Sequence, residues 1–262
     1  QWRAAMMRVC GRLPRPAAFD LLFHRGPRIL GPTTEDPHMT TTLTQLDDLM
    51  AARYSCRAFR PDPVPREVIA GILATARRVP SWCNAQPWQV VITSGAETDA
   101  FRAAMRAEAE TARHASDLDF PTGYSGVYRD RRRTCGWALY EAVGVEKGDR
   151  ASSAAQMMRN FDLFDAPHCA IISSPAELGA YGALDCGGFV TAFTLAAQAE
   201  GVATIPQAAL AGFSPFLHRY FGIGDDRLVL CAISFGYADP DHPANGFRTE
   251  RADVADFTDW RG

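Results

Sequence analysis

Apolar positions along Arg66–Arg78 recur at helical spacing. Val68, Ile69, Ile72, Leu73 and Ala76 fall on one face, which predicts an amphipathic helix. Leu43–Ala52 reads as a helix before it. Between Pro80 and Pro87 neither a helical nor a strand period is present, which marks a fixed loop. The Val-Val-Ile run after Trp88 then predicts a buried strand over Gln89–Thr93. Ala96–Thr111 reads as a helix with a mixed surface, and Ser116–Gly126 as a Pro/Gly/aromatic segment without a period. Tyr128–Val143 and Ser152–Phe161 read as helices separated by a turn at Gly144–Asp149. Apolar runs predict strands at Pro167–Ser173 and Leu228–Phe235. The longest apolar helix is expected at Asp185–Glu200, capped by Asp185 and stopped by Gly201. Phe189, Val190, Ala192, Phe193, Leu195, Ala196 and Ala197 cover most of its circumference, so it must be buried on several sides.

Length and composition narrow the function classes. With 262 residues, 47% of them hydrophobic, the chain can bury a full core in one large domain or two small ones. A formal net charge of -3 and the lack of a long basic stripe interleaved with aromatics argue against a nucleic-acid binder. The short run Arg129-Asp130-Arg131-Arg132-Arg133 reads as a solvated helix face or a local anion contact. Seven scattered cysteines without a CxxC pair suit a reducing, cytoplasmic compartment. The six histidines form no ligand cluster, so no metal is expected. No GxSxG elbow is present, which weakens a hydrolase reading. No run of about 18 apolar residues occurs, so no membrane-spanning helix is expected. Gln1–His38 is rich in Arg and Pro and precedes Met39-Thr-Thr-Thr. Folding is therefore expected to begin near Leu43, with residues 1–42 a poorly ordered extension and 43–262 a single domain.

Chemistry concentrates in two segments. In Arg53-Tyr54-Ser55-Cys56-Arg57-Ala58-Phe59 two arginines flank a serine, and their forked donors suit a phosphate dianion. The competing reading places Arg53 and Arg57 at i,i+4 on a helix surface, solvated or paired with Asp47 and Asp48. The loop Pro80-Ser81-Trp82-Cys83-Asn84-Ala85-Gln86-Pro87-Trp88 holds Asn84, whose amide offers one acceptor and two donors to a uracil-like ring edge. An Asx-turn satisfying the local backbone would use the same amide. Cys83 reads as a small apolar filler ahead of a reactive thiol.

Together these segments resemble the opening signature of the FMN-dependent nitroreductase family. The resemblance implies an α+β, three-layer α/β/α fold, with a central, mostly antiparallel sheet and the long helix at a homodimer interface. It places Arg53, Tyr54, Ser55 and Arg57 at the phosphate and ribityl end of FMN, and Pro80, Ser81, Trp82 and Asn84 beside its ring, so that one chain is expected to hold both ends of one cofactor. Gly201-Val-Ala-Thr-Ile-Pro-Gln-Ala-Ala resembles the family's segment at the reactive edge of the flavin, with Pro206, Gln207, Ala208 and Ala209 at the matching positions. Some members carry Glu-Gly where this chain has Ala208-Ala209, so only the backbone role carries over. After the last strand, Arg251 and then Arg248 match the basic residues that return to the phosphate, and Val254 to Trp260 would pack as a C-terminal arm. Gln156 joins the cofactor contacts on the same resemblance.

The stretch from Tyr128 to Phe161 is similar to the subgroup acting on nitroaromatic acids and nitrophenols. It makes Tyr124, Tyr128, Trp137 and Phe161 candidates to stack an aromatic substrate. The activity implied is ping-pong hydride transfer from transiently bound NADPH or NADH through FMN to a nitroaromatic or related electron-poor ring. No protein nucleophile or dedicated acid is then required, since the flavin carries the chemistry. Two alternatives stand beside this reading: a flavoenzyme of the same fold doing dehydrogenation or reductive dehalogenation, and a non-catalytic flavin-binding module.

Overall fold

The computed structural model describes residues 41–262. The extension expected over residues 1–42 therefore lies outside the described residues, apart from Thr41 and Thr42. Thr42–Gly262 forms one compact unit. Its elements are α1 (Thr42–Ala52), α2 (Arg66–Ala76), β1 (Gln89–Ser94), α3 (Ala96–Thr111), α4 (Gly126–Ala142), α5 (Arg150–Met158), β2 (His168–Pro175), α6 (Gly179–Ala199), β3 (Ala203–Gln207), α7 (Ala208–Ala211), α8 (Ser214–Phe221) and β4 (Arg227–Gly236). The four strands form one sheet in the order β1-β2-β4-β3, every pair antiparallel.

Both faces of this sheet are covered, which explains why β2 reads as a continuous apolar run and not as an alternation. Ala170 and Ile172 point into a core shared with Ile69, Ile72, Phe189, Phe193 and Ala197 from α2 and α6. Cys169 and Ile171 point into a second core with Phe101, Met105, Leu163, Leu210 and Leu217. Each fully buried Phe or Ile contributes about 1.5–3 kcal/mol. In β4, Ile172 pairs with Cys231 and Ser173 with Val229, so Leu230 is an extra residue. This bulge moves Val229 into the second core while Cys231, Ile233 and Phe235 pack in the first.

The long helix starts six residues before its expected N-terminus. Asp185 is therefore not its cap: it lies inside α6, and its carboxylate accepts the backbone N–H of Trp82 at 3.0 and 3.2 Å. A short acidic side chain satisfies a distant loop donor as readily as the donors of its own helix. The C-terminal expectation holds, since Gly201 follows the last turn with φ +70°. The helix pressed on β2 needs Gly182, where an added Cβ would lie 2.5 Å from Ser174 Oγ. Short helices α7 and α8 were not anticipated. Pro215 in the first turn of α8 and left-handed Gly222 (φ +64°) at its end are the start and stop signals that mark it.

Candidate active site

The Arg53 segment is not helical. α1 ends at Ala52, and the chain then runs along the free edge of β3, where Ser55 bridges Thr204 in parallel and Cys56 N–H donates to the Thr204 carbonyl at 3.0 Å. The segment continues to Phe59, which bridges Ala238 just after β4. This path removes the reading of Arg53 and Arg57 as neighbours on one helix face. It sets Ser55 and Arg57 beside the β3–α7 corner on one side and beside the chain after β4 on the other.

Three adjoining hollows result. One of about 300 Å³ is lined by Ser55, Arg57, Leu139, Tyr140, Gln156, Asn160 and the corner Ile205–Ala209. A second, about 270 Å³, shares Ser55 and Arg57 and adds Arg53, Tyr54, Cys135, Phe247, Arg248, Thr249 and Arg251. The third contains Asp47, Asp48, Arg53, Arg251 and Pro206 together with Val190, Thr191 and Thr194 of α6. No carboxylate lines the second hollow. Among the described residues none of its four guanidiniums forms an ion pair, so Asp47 and Asp48 do not neutralise Arg53. Burial, followed by the charge of Arg251, lowers the Arg53 pKa, and burial lowers that of Arg57. Both remain cations, held where burial works against their charge.

The arginines are fixed by rings and carbonyls. The Arg248 guanidinium lies 3.8 Å from the centre of the Tyr54 ring, and that of Arg57 lies 5.5 Å from that of Phe247. Arg57 Nη1 donates to the Ser55 carbonyl, and Arg251 Nη1 to Thr249 Oγ1. Gln207 turns inward: its Nε2 donates to the Asn160 carbonyl, and its Oε1 accepts from Ser234 Oγ at 2.6 Å. Its side chain is thus occupied, and the small Ala208 and Ala209 leave the backbone at the corner accessible to the hollow.

The Pro80–Pro87 loop stands elsewhere in the chain. Pro80, Ser81, Trp82 and Asn84 line none of the three hollows. The loop is tied to the first half of α6, through Trp82 N–H to Asp185 and through the Trp82 ring 4.5 Å from Tyr181, whereas Arg53 faces Val190–Thr194 in the second half. Within the one chain the two segments line no common hollow among those described. Cys83, Asn84 and Gln86 adopt positive φ of 50°, 58° and 49°, and the Asn84 side chain bonds no group among the described residues, so it makes no Asx-turn. Cys83 is exposed and is not an apolar filler.

The proposed aromatic contacts divide. Tyr124, Tyr128 and Trp137 are exposed but line none of the hollows. Phe161 is 5% exposed and meets Phe213 edge-on at 5.3 Å, which makes it a core residue and not a substrate platform. The lining residues the sequence reading missed are Cys135, Leu139, Tyr140, Met157, Asn160 and Phe164, together with Met50, Ala51, Ile205, Phe247 and Thr249 from segments it singles out for other residues. The i, i+4 spacing of Cys135 and Leu139 was the available signal. Phe164 belongs to a left-handed turn, with φ of 56°, 51° and 65° at Leu163, Phe164 and Asp165. That turn is held by Arg102, whose Nη2 donates to the Ala166 carbonyl at 2.7 Å, and by Arg159 paired with Asp165. Arg129 to Arg133 are exposed, with Arg129 paired to Asp130, which fits a solvated helix face.

Comparisons with known proteins identify the family and the fold. Residues 50–237 match the model of the Nitroreductase family. The chain is 34% identical over 216 residues to nitroreductase NfnB of Mycolicibacterium smegmatis, covering 80% of this chain and 90% of that protein. It is 30% identical over 224 residues to 4-nitrobenzoate reductase of Pseudomonas putida, covering 86% and 99%. The crystal structure of the FMN-dependent nitroreductase NfnB from Mycobacterium smegmatis in complex with NADPH superimposes with a TM-score of 0.80 at 32% identity, over 84% of this chain and 100% of that one. With the family model matching residues 50–237 and relatives of 30% and 34% identity covered almost end to end, the chain belongs to the nitroreductase family.

Proposed function

We propose that this protein is a homodimeric, FMN-dependent oxidoreductase that reduces nitroaromatic compounds at the expense of NADPH or NADH. The observation that carries the reading is the second hollow: four guanidiniums converge on it with no carboxylate in its lining. Such a cradle suits a phosphate dianion, and bidentate arginine contacts are the strongest available for it. The adjoining hollow at Ile205–Ala209 has room for a ring system, with backbone and small side chains at its wall. When bound, FMN supplies the hydride chemistry linking nicotinamide to the nitro group. Arg53, Arg57, Arg248 and Arg251 hold its phosphate, Ser55 contributes a hydroxyl, and the Pro206–Ala209 backbone meets its reactive edge. Leu139, Tyr140, Met157 and Phe164 line the hollow and limit water over the ring. The names of the relatives, 4-nitrobenzoate reductase among them, support a nitroaromatic substrate.

The dimer follows from α6. Its 21 residues span about 31 Å. Tyr181, Leu184, Gly187, Gly188 and Thr191 are exposed along it, and nothing lies within 4 Å of where side chains at Gly187 or Gly188 would begin. Two copies crossing antiparallel at Gly187–Gly188 set each Asp185 against the other's Val190 and each Tyr181 against the other's Thr194. Each copy's loop, tied to Asp185 and Tyr181, then covers the other's Val190–Thr194 hollow. Asn84 thereby reaches the flavin ring from the second copy. Exposed Val254, Phe257 and Trp260 at the C-terminus, and Leu43, Leu46 and Met50 on α1, are further apolar surface for the same contact.

The test is the visible spectrum of purified protein, followed by anaerobic addition of NADPH and of NADH. A bound flavin that bleaches and recovers with 4-nitrobenzoate is the expected result. A flavin that bleaches but recovers only with another acceptor would sink the nitroaromatic assignment. A protein that takes up no FMN would sink the cradle.

A further inference from the structure

Asn245 lies in none of the hollows, yet it joins the two chain segments that supply the arginines. It is 5% exposed, and both polar atoms of its side chain are engaged. Oδ1 accepts the backbone N–H of Arg57 at 2.8 Å, while Nδ2 donates to the Ala58 carbonyl at 2.9 Å and to the Asp239 carbonyl at 2.8 Å. Its own backbone carbonyl accepts from Arg248 Nη1 at 2.9 Å. One residue therefore fixes the backbone of one cradle arginine and the side chain of another.

The two segments clasp one another crosswise around it. Arg57 of the first lies over Phe247 of the second, and Arg248 of the second lies over Tyr54 of the first. Asn245 is the point from which both pairs hang, and Pro243–Asn245 is a tight helical turn whose start is closed by His242 Nδ1 accepting from Ala244 N–H. A saturated amide suits this place because one end must accept and the other must donate twice. Resting on the flavin reading above, we infer that Asn245 is a positioning residue that sets the spacing of the phosphate cradle, and thereby the preference of the protein for a phosphorylated flavin over an unphosphorylated one.

The experiment compares FMN with riboflavin, which has the same ring and ribityl chain and no phosphate. Both are titrated onto the flavin-stripped full chain by fluorescence quenching, for wild type and Asn245→Ala. The expected result is a fall of at least about tenfold in the FMN-to-riboflavin affinity ratio, carried by weaker FMN binding with riboflavin unchanged. A variant that keeps the wild-type ratio overturns the inference, whether both affinities stay put or both weaken alike, since uniform weakening marks a merely structural role. Circular dichroism reports folding. If Asn245→Ala does not fold, Asn245→Ser, which leaves a hydroxyl to serve one of the two carbonyls, is read by the same criterion. A wild-type protein without any preference for FMN sinks the cradle reading itself, whereas a wild-type preference that the variants retain sinks only the role of Asn245.

Discussion

The arginine cradle and the Pro80–Pro87 loop are both polar, both on irregular backbone, and differ in how far one chain completes them. The cradle is closed on itself. Arg57 and Arg248 each lie over an aromatic ring of the opposite segment, Asn245 bonds two backbone groups across the gap and one on its own side, and no residue outside glycine takes a positive φ in 53–59 or 245–251. The loop has three such residues in four positions, an exposed tryptophan and, among the described residues, an amide without a partner. Strain held at an exposed segment is the mark of a piece shaped for something outside it. On the proposed reading the cradle is completed by the phosphate alone, whereas the loop needs a second copy as well.

The largest effect is expected from breaking the crossing that joins them. Gly188→Arg places a bulky cation on the open face of α6, where an arginine also favours helix over glycine by roughly 0.8 kcal/mol, so the single chain stays folded. The variant should elute as a monomer in light-scattering chromatography and lose its flavin, because no partner loop then covers the Val190–Thr194 hollow. A monomer that keeps FMN at wild-type affinity would show that the loop contributes nothing to the site.

Next come the cradle arginines. Arg53→Ala or Arg251→Ala each removes a charge-assisted contact of about 1.5–3 kcal/mol, or roughly 10- to 150-fold in FMN affinity. Riboflavin affinity should barely change. The two residues are neighbours, since the charge of Arg251 depresses the Arg53 pKa. The double variant should therefore lose less than the sum of the singles, as relief of mutual repulsion offsets part of the second loss. Strict additivity would separate the two into independent sites.

Asn84→Ala sharpens the contrast from the other side. A neutral amide contact contributes about 0.5–1.5 kcal/mol, so FMN affinity should fall only some two- to tenfold, with the larger change in turnover. Equal losses of affinity at Asn84 and Arg53 would erase the distinction between a phosphate cradle and a ring contact.

The sheet, the long helix and the family were legible because each rests on a strong local signal. Phe189, Phe193 and Ala197 recur at helical spacing, β2 is an unbroken apolar run, and Arg53–Arg57 precedes the Pro80–Pro87 loop by one helix. What escaped depends on contacts distant in sequence. Asp185 has the composition of a cap, but it is recruited by Trp82, 103 residues away. Phe161 has the look of a stacking platform, but Phe213 claims it for the core. Leu139 and Tyr140 reach the hollow because α4 lies over it, a fact its own periodicity does not contain. The separation of the two motifs within one chain is of the same kind: they are adjacent in sequence order, yet they meet α6 at opposite halves of its length.

A pH effect should appear where α8 meets the segment between α3 and α4. His218 offers Nδ1 to the Ile223 carbonyl at 2.9 Å and Nε2 to Asp117 Oδ2 at 2.9 Å, and the same oxygen accepts Val229 N–H, so the ring serves both acceptors only when doubly protonated. Burial works against its charge. The Asp117 hydrogen bond, the Ile223 carbonyl and the charges of Asp117 and Asp225 outweigh that, and the pKa lies above the ordinary histidine value. A raised folded-state pKa adds stability that is complete below the unfolded value and is lost as pH rises through the folded one. Thermal unfolding should therefore show stability lost as pH rises above the ordinary histidine range, a loss absent in His218→Gln. A wild-type profile that matches the variant's would remove the clamp.

The smallest effect tests whether the loop holds its shape unaided. Cys83 sits at φ 50° and ψ 24°, exposed, and among the described residues its thiol has no hydrogen-bond partner. Glycine there relieves about 1 kcal/mol of left-handed strain and returns a similar amount to the unfolded chain, so Cys83→Gly should shift stability by less than about 0.5 kcal/mol. A β-branched residue cannot share that relief, and Cys83→Val should cost about 1–2 kcal/mol. If both substitutions are neutral in chemical denaturation, the loop has relaxed to another backbone, and the conformation that presents Asn84 is one the partner chain imposes. If they separate as expected, the loop is preformed in the single chain and needs only a second copy to place it over the flavin.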